Sequence, residues 1–249
     1  MQYVLLPFIL LACSLTLHAQ PVSIVFIGNS ITYGACLTDP STEAPPVHTA
    51  ALLREKGYEV AFANCGYSGS TTVDFLPGDK LLPRVVQAAD SLSRLGGPLV
   101  FSMMLGTNDS AMRGTKGAPV SPDRYRHNLL CIIDSLHARY PGSYFILHRP
   151  LWYSPNTHNG ATYLAEGLQR LQTYTPVLDE LPRERPYILP GDRKAYDRFR
   201  RQHRKLLTPE AGNSGTFYLH PNKAGAEVLA GYWTKSIIHN MKNYVLQDK

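Results

Sequence analysis

Four short segments of this 249-residue chain carry groups suited to chemistry. In Gly28-Asn29-Ser30-Ile31-Thr32-Tyr33-Gly34, Ser30 stands just beyond an apolar run, in a turn flanked by glycines. That position exposes its hydroxyl while its own N–H points the same way. Asn64-Cys65-Gly66-Tyr67-Ser68-Gly69-Ser70 is a glycine-rich turn able to aim backbone N–H groups into a crevice. Gly106-Thr107-Asn108-Asp109 offers a side-chain amide donor, and His220-Pro221-Asn222 sets an imidazole directly before a helix. A nucleophile, a histidine base and convergent donors are the components of acyl transfer. Singly, each has an ordinary structural use, as a turn former, a helix cap or a surface residue. Their order along the chain, and where the fold must put them, is what argues for chemistry.

The elements that position them follow from hydrophobic periodicity. Val22–Gly28 reads as a buried strand, followed by a helix over Pro46–Lys56 that Gly57 ends. A second strand runs over Val60–Asn64, a helix over Leu81–Leu95 and a third strand over Leu99–Leu105. A helix over Pro122–Tyr140 presents Tyr125, Leu129, Ile132, Ile133 and Leu136 on one face. Strand four covers Tyr144–His148, a helix Thr162–Leu181, and a short fifth strand Tyr187–Leu189. The last helix, Lys223–Met241, is capped by Asn222 and carries Ala226, Leu229, Ala230, Trp233, Ile237 and Met241 along one stripe. Strands alternating with helices of this length imply βαβ units, a parallel sheet and right-handed crossovers. The expected fold is α/β, a three-layer α/β/α sandwich around a central five-stranded parallel sheet. Ligands in such sheets bind outside the carboxyl ends of the strands, where the four segments fall.

Hydrophobic residues make up 44% and charged residues 18%, which excludes a disordered or coiled-coil chain. The net charge of +6 is modest and scattered. Its densest stretch, Arg198–Lys205, reads as a solvated helix face, and no reading helix or RNA-binding aromatic motif accompanies it, so nucleic acid is not an expected partner. Val4–Leu17 is almost wholly apolar, too short for a comfortable membrane span, and ends in Leu17-His18-Ala19-Gln20. It reads as a signal peptide, residues 1–19, cleaved after Ala19 to release a single domain, 20–249, into the periplasm or outside the cell. The alternative is a lipid anchor on Cys13, within Leu10-Leu11-Ala12-Cys13. No other run is long enough to cross a membrane. Removal of residues 1–19 leaves Cys36, Cys65 and Cys131, an odd number that is no disulfide framework, although a Cys36–Cys65 bridge is conceivable. No cysteine or histidine spacing suggests zinc.

The order of the four segments resembles the SGNH, or GDSL-type, hydrolase superfamily. Gly28-Asn29-Ser30 resembles its GDS block, with Asn29 where the family usually has Asp. The Asn64–Gly69 segment resembles the second block, Gly106-Thr107-Asn108-Asp109 the GxND block, and His220-Pro221-Asn222 the last. The resemblance spans Val22 to about Met241. It implies a flavodoxin-like sandwich and a serine esterase that needs no metal and no cofactor. Ser30 would be the nucleophile and His220 the base, with the N–H groups of Ser30 and Gly69 and the Asn108 amide as oxyanion donors. Asp109 is expected to hold its loop. The family's last block is usually DxxHP, but Phe217 stands three residues before His220. Either a backbone carbonyl orients His220, as a dyad, or Asp192, just after the fifth strand, supplies the carboxylate; the dyad is favoured. The competing reading of Asp192 is an Asx turn or helix cap.

Tyr33, Tyr67, Trp152 and Tyr153, with Arg149 and His158, are expected near the crevice, a mixture suited to a sugar ring bearing a small acyl group. The segment around Tyr218-Leu219-His220-Pro221-Asn222 also resembles exported bacterial carbohydrate esterases of the sialate O-acetylesterase kind. The expected substrate is therefore a small-molecule or glycan ester, most simply an acetyl ester. The alternatives are a lysophospholipase, thioesterase or arylesterase on the same scaffold, and a non-catalytic carbohydrate-binding module, against which the full set Ser30, Gly69, Asn108 and His220 argues.

Overall fold

Val22–Gly28 forms strand β1, with every residue buried, as its mostly apolar run, broken only by Ser23, requires of a strand covered on both faces. A computed structural model describes residues 21–245 of the chain; the signal-peptide and Cys13 expectations lie outside the described residues. After β1 come three helices, α1 (Ser30–Tyr33), α2 (Pro40–Glu43) and α3 (Pro45–Glu55). Strand β2 (Val60–Gly66), α4 (Leu82–Ser93), β3 (Leu99–Met104), α5 (Pro122–Arg139) and β4 (Tyr144–Leu147) complete the first half. A small hairpin, β5 (Asn156–His158) and β6 (Ala161–Tyr163), precedes α6 (Ala165–Glu184) and β7 (Ile188–Pro190). Helix α7 (Ala195–Leu206), strands β8 (Leu207–Gly212) and β9 (Gly215–Pro221), and α8 (Lys223–Asn240) close the fold.

β1, β2, β3, β4 and β7 form one sheet in the order β2-β1-β3-β4-β7, every pairing parallel. The expected five-stranded α/β/α sandwich is the observed one. Helices α3 and α8 cover one face: Trp233 of α8 lies stacked on Phe26 of β1, ring centroids 5.8 Å apart. The other face carries α4 and α5, tied by Tyr140, whose hydroxyl donates to Asp90 at 2.7 Å and lies 3.0 Å from the Val86 carbonyl. On that side Phe101 stacks on Phe145 at 4.9 Å. Asn222 caps α8 as expected, its Oδ1 accepting from the Gly225 N–H at 3.0 Å. In this strand order the chain leaves β1 towards β2 on one side and returns to β3 on the other. The loops after β1 and β3 therefore diverge and leave a crevice between them.

Two segments depart from the expected elements. The helix expected from Thr162 starts at Ala165, because Ala161–Tyr163 pairs antiparallel with Asn156–His158. The chain before α8 is an antiparallel hairpin, β8 against β9, so His220 lies on a strand. Arg198–Lys205 is indeed helical, within α7, whose inner face buries Tyr196 and Phe199.

Candidate active site

Ser30 begins α1 immediately after β1, and its neighbours explain the sharp turn. Asn29 accepts from the Ile31 N–H at 3.0 Å and caps the short helix, so Asn in place of Asp still performs the local structural task. The turn packs so tightly against β2 that a Cβ on Gly66 would lie 2.3 Å from the Tyr33 nitrogen. Backbone bonds from Tyr67 N–H to the Gly28 carbonyl (3.0 Å) and from Asn64 Nδ2 to the Thr32 carbonyl (2.9 Å) bind the second loop to the first. That loop carries Gly69, at φ +78°, a conformation glycine adopts without strain.

Asn108 reaches the same crevice from beyond β3. One of its amide hydrogens goes to the Ser70 carbonyl at 2.8 Å, and its Oδ1 accepts from the Tyr163 hydroxyl at 2.6 Å. These bonds fix the amide and leave its second hydrogen for a ligand. Asp109 beside it is wholly buried and accepts from the Thr72 N–H and hydroxyl, the loop-holding use expected of it. Burial, against those hydrogen bonds, pushes its carboxyl up to about 6.

His220 Nε2 lies 2.8 Å from Ser30 Oγ. Its Nδ1 faces Glu210, 2.8 Å from Oε1 and 2.9 Å from Oε2. Neither arrangement expected for the base is present. The group at Nδ1 is the carboxylate of Glu210, and among the described residues no backbone carbonyl takes that place. Asp192 accepts instead from the N–H groups of Lys194 (3.0 Å) and Ala195 (2.9 Å), which is the helix-start use. Phe217, where the family's acid would stand, is buried against the Tyr163 and His158 rings.

The hairpin explains how Glu210 substitutes. Glu210 pairs with Phe217 and Pro209 with Tyr218, but Leu207 pairs with Pro221. Strand β9 therefore holds one extra residue in the stretch containing His220. Paired residues share a face and neighbours alternate, so without the bulge His220 would point away from Glu210. The extra residue turns it back, a known use of bulges beside sites. Burial raises the cost of charge on Glu210, but the hydrogen bond and field of His220, with the field of His158, outweigh it and hold the carboxyl below its usual range. His158 Nε2 lies 3.2 Å from Glu210 Oε2, and its Nδ1 is 2.8 Å from the Ala211 carbonyl.

These groups open on a cavity of about 300 Å³ walled by Ser30, Gly69, Asn108, His158, Tyr163 and His220. Among the described residues no acceptor is paired with the N–H of Ser30 or of Gly69. The arrangement can carry a proton from a serine to an imidazole and offer three donors to a developing oxyanion. Of the residues expected to hold a sugar, only His158 lines this cavity. Tyr33 lines a separate groove, Tyr67 is exposed beneath Lys80 and Arg84, Tyr153 is buried, Trp152 packs on His203, and Arg149 lies over Tyr196. Cys36 and Cys65 are free thiols, not a bridge.

The fold is shared with an acetyl xylan esterase from Geobacillus stearothermophilus (19% identity, TM-score 0.61, covering 88% of this chain and 95% of that one). It is shared too with a carbohydrate acetylesterase from Sinorhizobium meliloti (15%, 0.60, 87% and 98%) and a lipase/acylhydrolase from Enterococcus faecalis (21%, 0.57, 88% and 95%). No curated protein sequence matches significantly. The model of the GDSL-like Lipase/Acylhydrolase family matches residues 26–228, from the strand that presents Ser30 into the helix after His220. The chain therefore belongs to that family and is a carboxylic ester hydrolase.

Proposed function

We propose that the protein is a serine esterase that removes short acyl groups, in the first place acetyl, from carbohydrate esters. The observation that carries the reading is the continuous hydrogen-bonded chain Ser30 Oγ, His220 Nε2, His220 Nδ1 and Glu210, open to the cavity. Ser30 Oγ attacks the ester carbonyl as His220 takes its proton. Glu210 holds the ring with Nε2 free to accept and stabilises the imidazolium. The oxyanion is held by the N–H groups of Ser30 and Gly69 and by Asn108 Nδ2. Tyr163 polarises that amide by donating to its oxygen, and each such donor is worth about 10²–10³ in rate. His220 then protonates the leaving alcohol, and water repeats the sequence to free the acid.

The cavity supports the substrate class. Its walls mix Ser68, Thr115, His158 and Asn159 with few apolar side chains, and about 300 Å³ holds an acetyl group and part of a sugar ring. The solved acetylesterases on this fold favour the same reading by analogy. The apolar Val4–Leu17 segment supports export to the periplasm or beyond. The test is hydrolysis of p-nitrophenyl esters of increasing chain length and acetate release from acetylated xylo-oligosaccharides. Preference for acetyl esters, release of acetate and loss of both in Ser30→Ala are expected. A preference for acyl chains of eight carbons or more would overturn the acetylesterase reading in favour of a lysophospholipase or thioesterase.

A further inference from the structure

Cys36 takes no part in the relay, yet it lies against both of the relay's inner members. Its Sγ is 3.5 Å from Glu210 Oε2 and 3.7 Å from His220 Nδ1, and it lines the same cavity as Ser30. Thiol, carboxylate and imidazole together form a ligand set for a borderline-soft cation, and all three ligand atoms lie within 4.8 Å of one another. A tetrahedral zinc with ordinary bond lengths separates its ligand atoms by about 3.3–3.7 Å. The two separations involving Cys36 already have that size. Only the His220–Glu210 contact, 2.8 Å, must open, by about half an ångström on the same bond lengths.

We propose that Cys36, Glu210 and His220 form an inhibitory site for Zn²⁺, with the cation's fourth position open to the cavity. The cation is an inhibitor here, not a cofactor. Binding replaces the Cys36 thiol proton, which leaves to solvent, and takes the lone pair of a His220 whose Nδ1 has lost its hydrogen. The ring's single proton then sits on Nε2, facing Ser30. In that tautomer Nε2 has no lone pair for the serine proton, and Glu210 no longer orients the ring. The balance is one zinc bound and one proton released.

Binding stands on geometry alone, whereas inhibition rests on the esterase reading above. Two readouts keep them apart. The first is calorimetric titration of ZnCl₂ into metal-free Ser30→Ala protein, which keeps all three ligands. One ion per chain is expected, with affinity falling roughly 10–100-fold or more when Cys36→Ser is added. The second is p-nitrophenyl acetate hydrolysis across a zinc series, each variant scaled to its own metal-free rate. Wild type should be inhibited reversibly, recovering with EDTA, and Cys36→Ser should need at least tenfold more zinc, on the same scale of ligand loss. Cys131, whose Sγ lies 3.4 Å from His127 Nε2 on α5, offers the competing site, and Cys131→Ser should stay as sensitive as wild type. Equal zinc affinity in the presence and absence of Cys36, or transfer of the effect to Cys131, would overturn the proposal. Binding without any inhibition would overturn the inhibitory mode while leaving the esterase reading to its own test.

Discussion

The molecule contains a serine, a histidine and an acid brought together twice. At the crevice, Ser30, His220 and Glu210 run in a line towards a cavity. Elsewhere, Ser102 Oγ lies 3.0 Å from His148 Nε2, and Asp192 meets the ring's other nitrogen, through its backbone N–H rather than its carboxylate. The second cluster is sealed: Ser102 and His148 are almost wholly buried, and Trp233 stacks beside the imidazole at 5.3 Å. The decisive difference lies at Nδ1. His220 presents its Nδ1 to a carboxylate, which orients Nε2 as an acceptor towards Ser30. His148 Nδ1 accepts the Asp192 backbone N–H at 2.9 Å, so Nε2 is already protonated and donates to Ser102. Burial, with a smaller contribution from the Arg193 charge, pushes His148 down to about 3. The same residue types thus make a cavity-facing hydrogen-bonded relay, fit for the proposed base, in one place and a neutral packing unit in the other. Access and the partner at Nδ1 decide which.

Parallel substitutions separate the two clusters most widely at the serines. Ser30→Ala should lower kcat by roughly 10⁴–10⁶ without loss of fold. Ser102→Ala should leave kcat near wild type and cost about 1 kcal/mol for one buried hydrogen bond, read from denaturant melts. Comparable activity losses in both variants would erase the distinction drawn here.

The acids come next. Glu210→Gln removes control of the tautomer and should lower kcat by roughly 10³–10⁴ while leaving KM little changed. Asp192→Asn weakens only the start of α7 and should cost about 1 kcal/mol of stability. If Asp192→Asn were the inactive one, the orienting role assigned to Glu210 would be wrong.

The last contrast is one of pH on stability, with no effect expected on activity, and it belongs to the sealed cluster. Below pH 6.5 the imidazole of an unfolded chain binds a proton that buried His148 refuses until about pH 3. Its contribution is complete above 6.5 and is lost as pH falls towards 3, about 3 kcal/mol by pH 4. His148→Asn keeps an acceptor for the Asp192 N–H but cannot titrate. Its unfolding free energy should fall less steeply than that of wild type between pH 6.5 and 4. Parallel slopes would show that His148 is not the group responsible.

The same contrast marks what the sequence makes legible. The sheet is readable because β1 and β3 are predominantly apolar, each broken by a single serine, and glycines stop α3 and α4. Ser30, Asn108 and His220 are readable because they stand in short turns or before a capped helix. Glu210 is not. Leu207–Gly212 shows no alternation, and Pro209 and Gly212 read as loop, since pairing with β9 overrides local propensity there. The available signal is the two-residue turn Asn213-Ser214 between Gly212 and Gly215, followed by Thr216-Phe217-Tyr218-Leu219, a hairpin pattern. Even so, the bulge that turns His220 towards Glu210 has no signature in residue type. Asp192 misleads for the opposite reason: its place after a strand suits catalysis and helix capping equally, and only the N–H groups of Lys194 and Ala195 show which.

The most direct test of the account labels the nucleophile itself. A fluorophosphonate probe loses fluoride only to a serine oxygen whose proton a neighbouring base can take. Incubated with folded protein and mapped by peptide mass spectrometry, it should modify Ser30 stoichiometrically and Ser102 not at all, and Glu210→Gln should slow the labelling along with kcat. An adduct on Ser102, or full esterase activity with Ser30 unlabelled, would contradict the account.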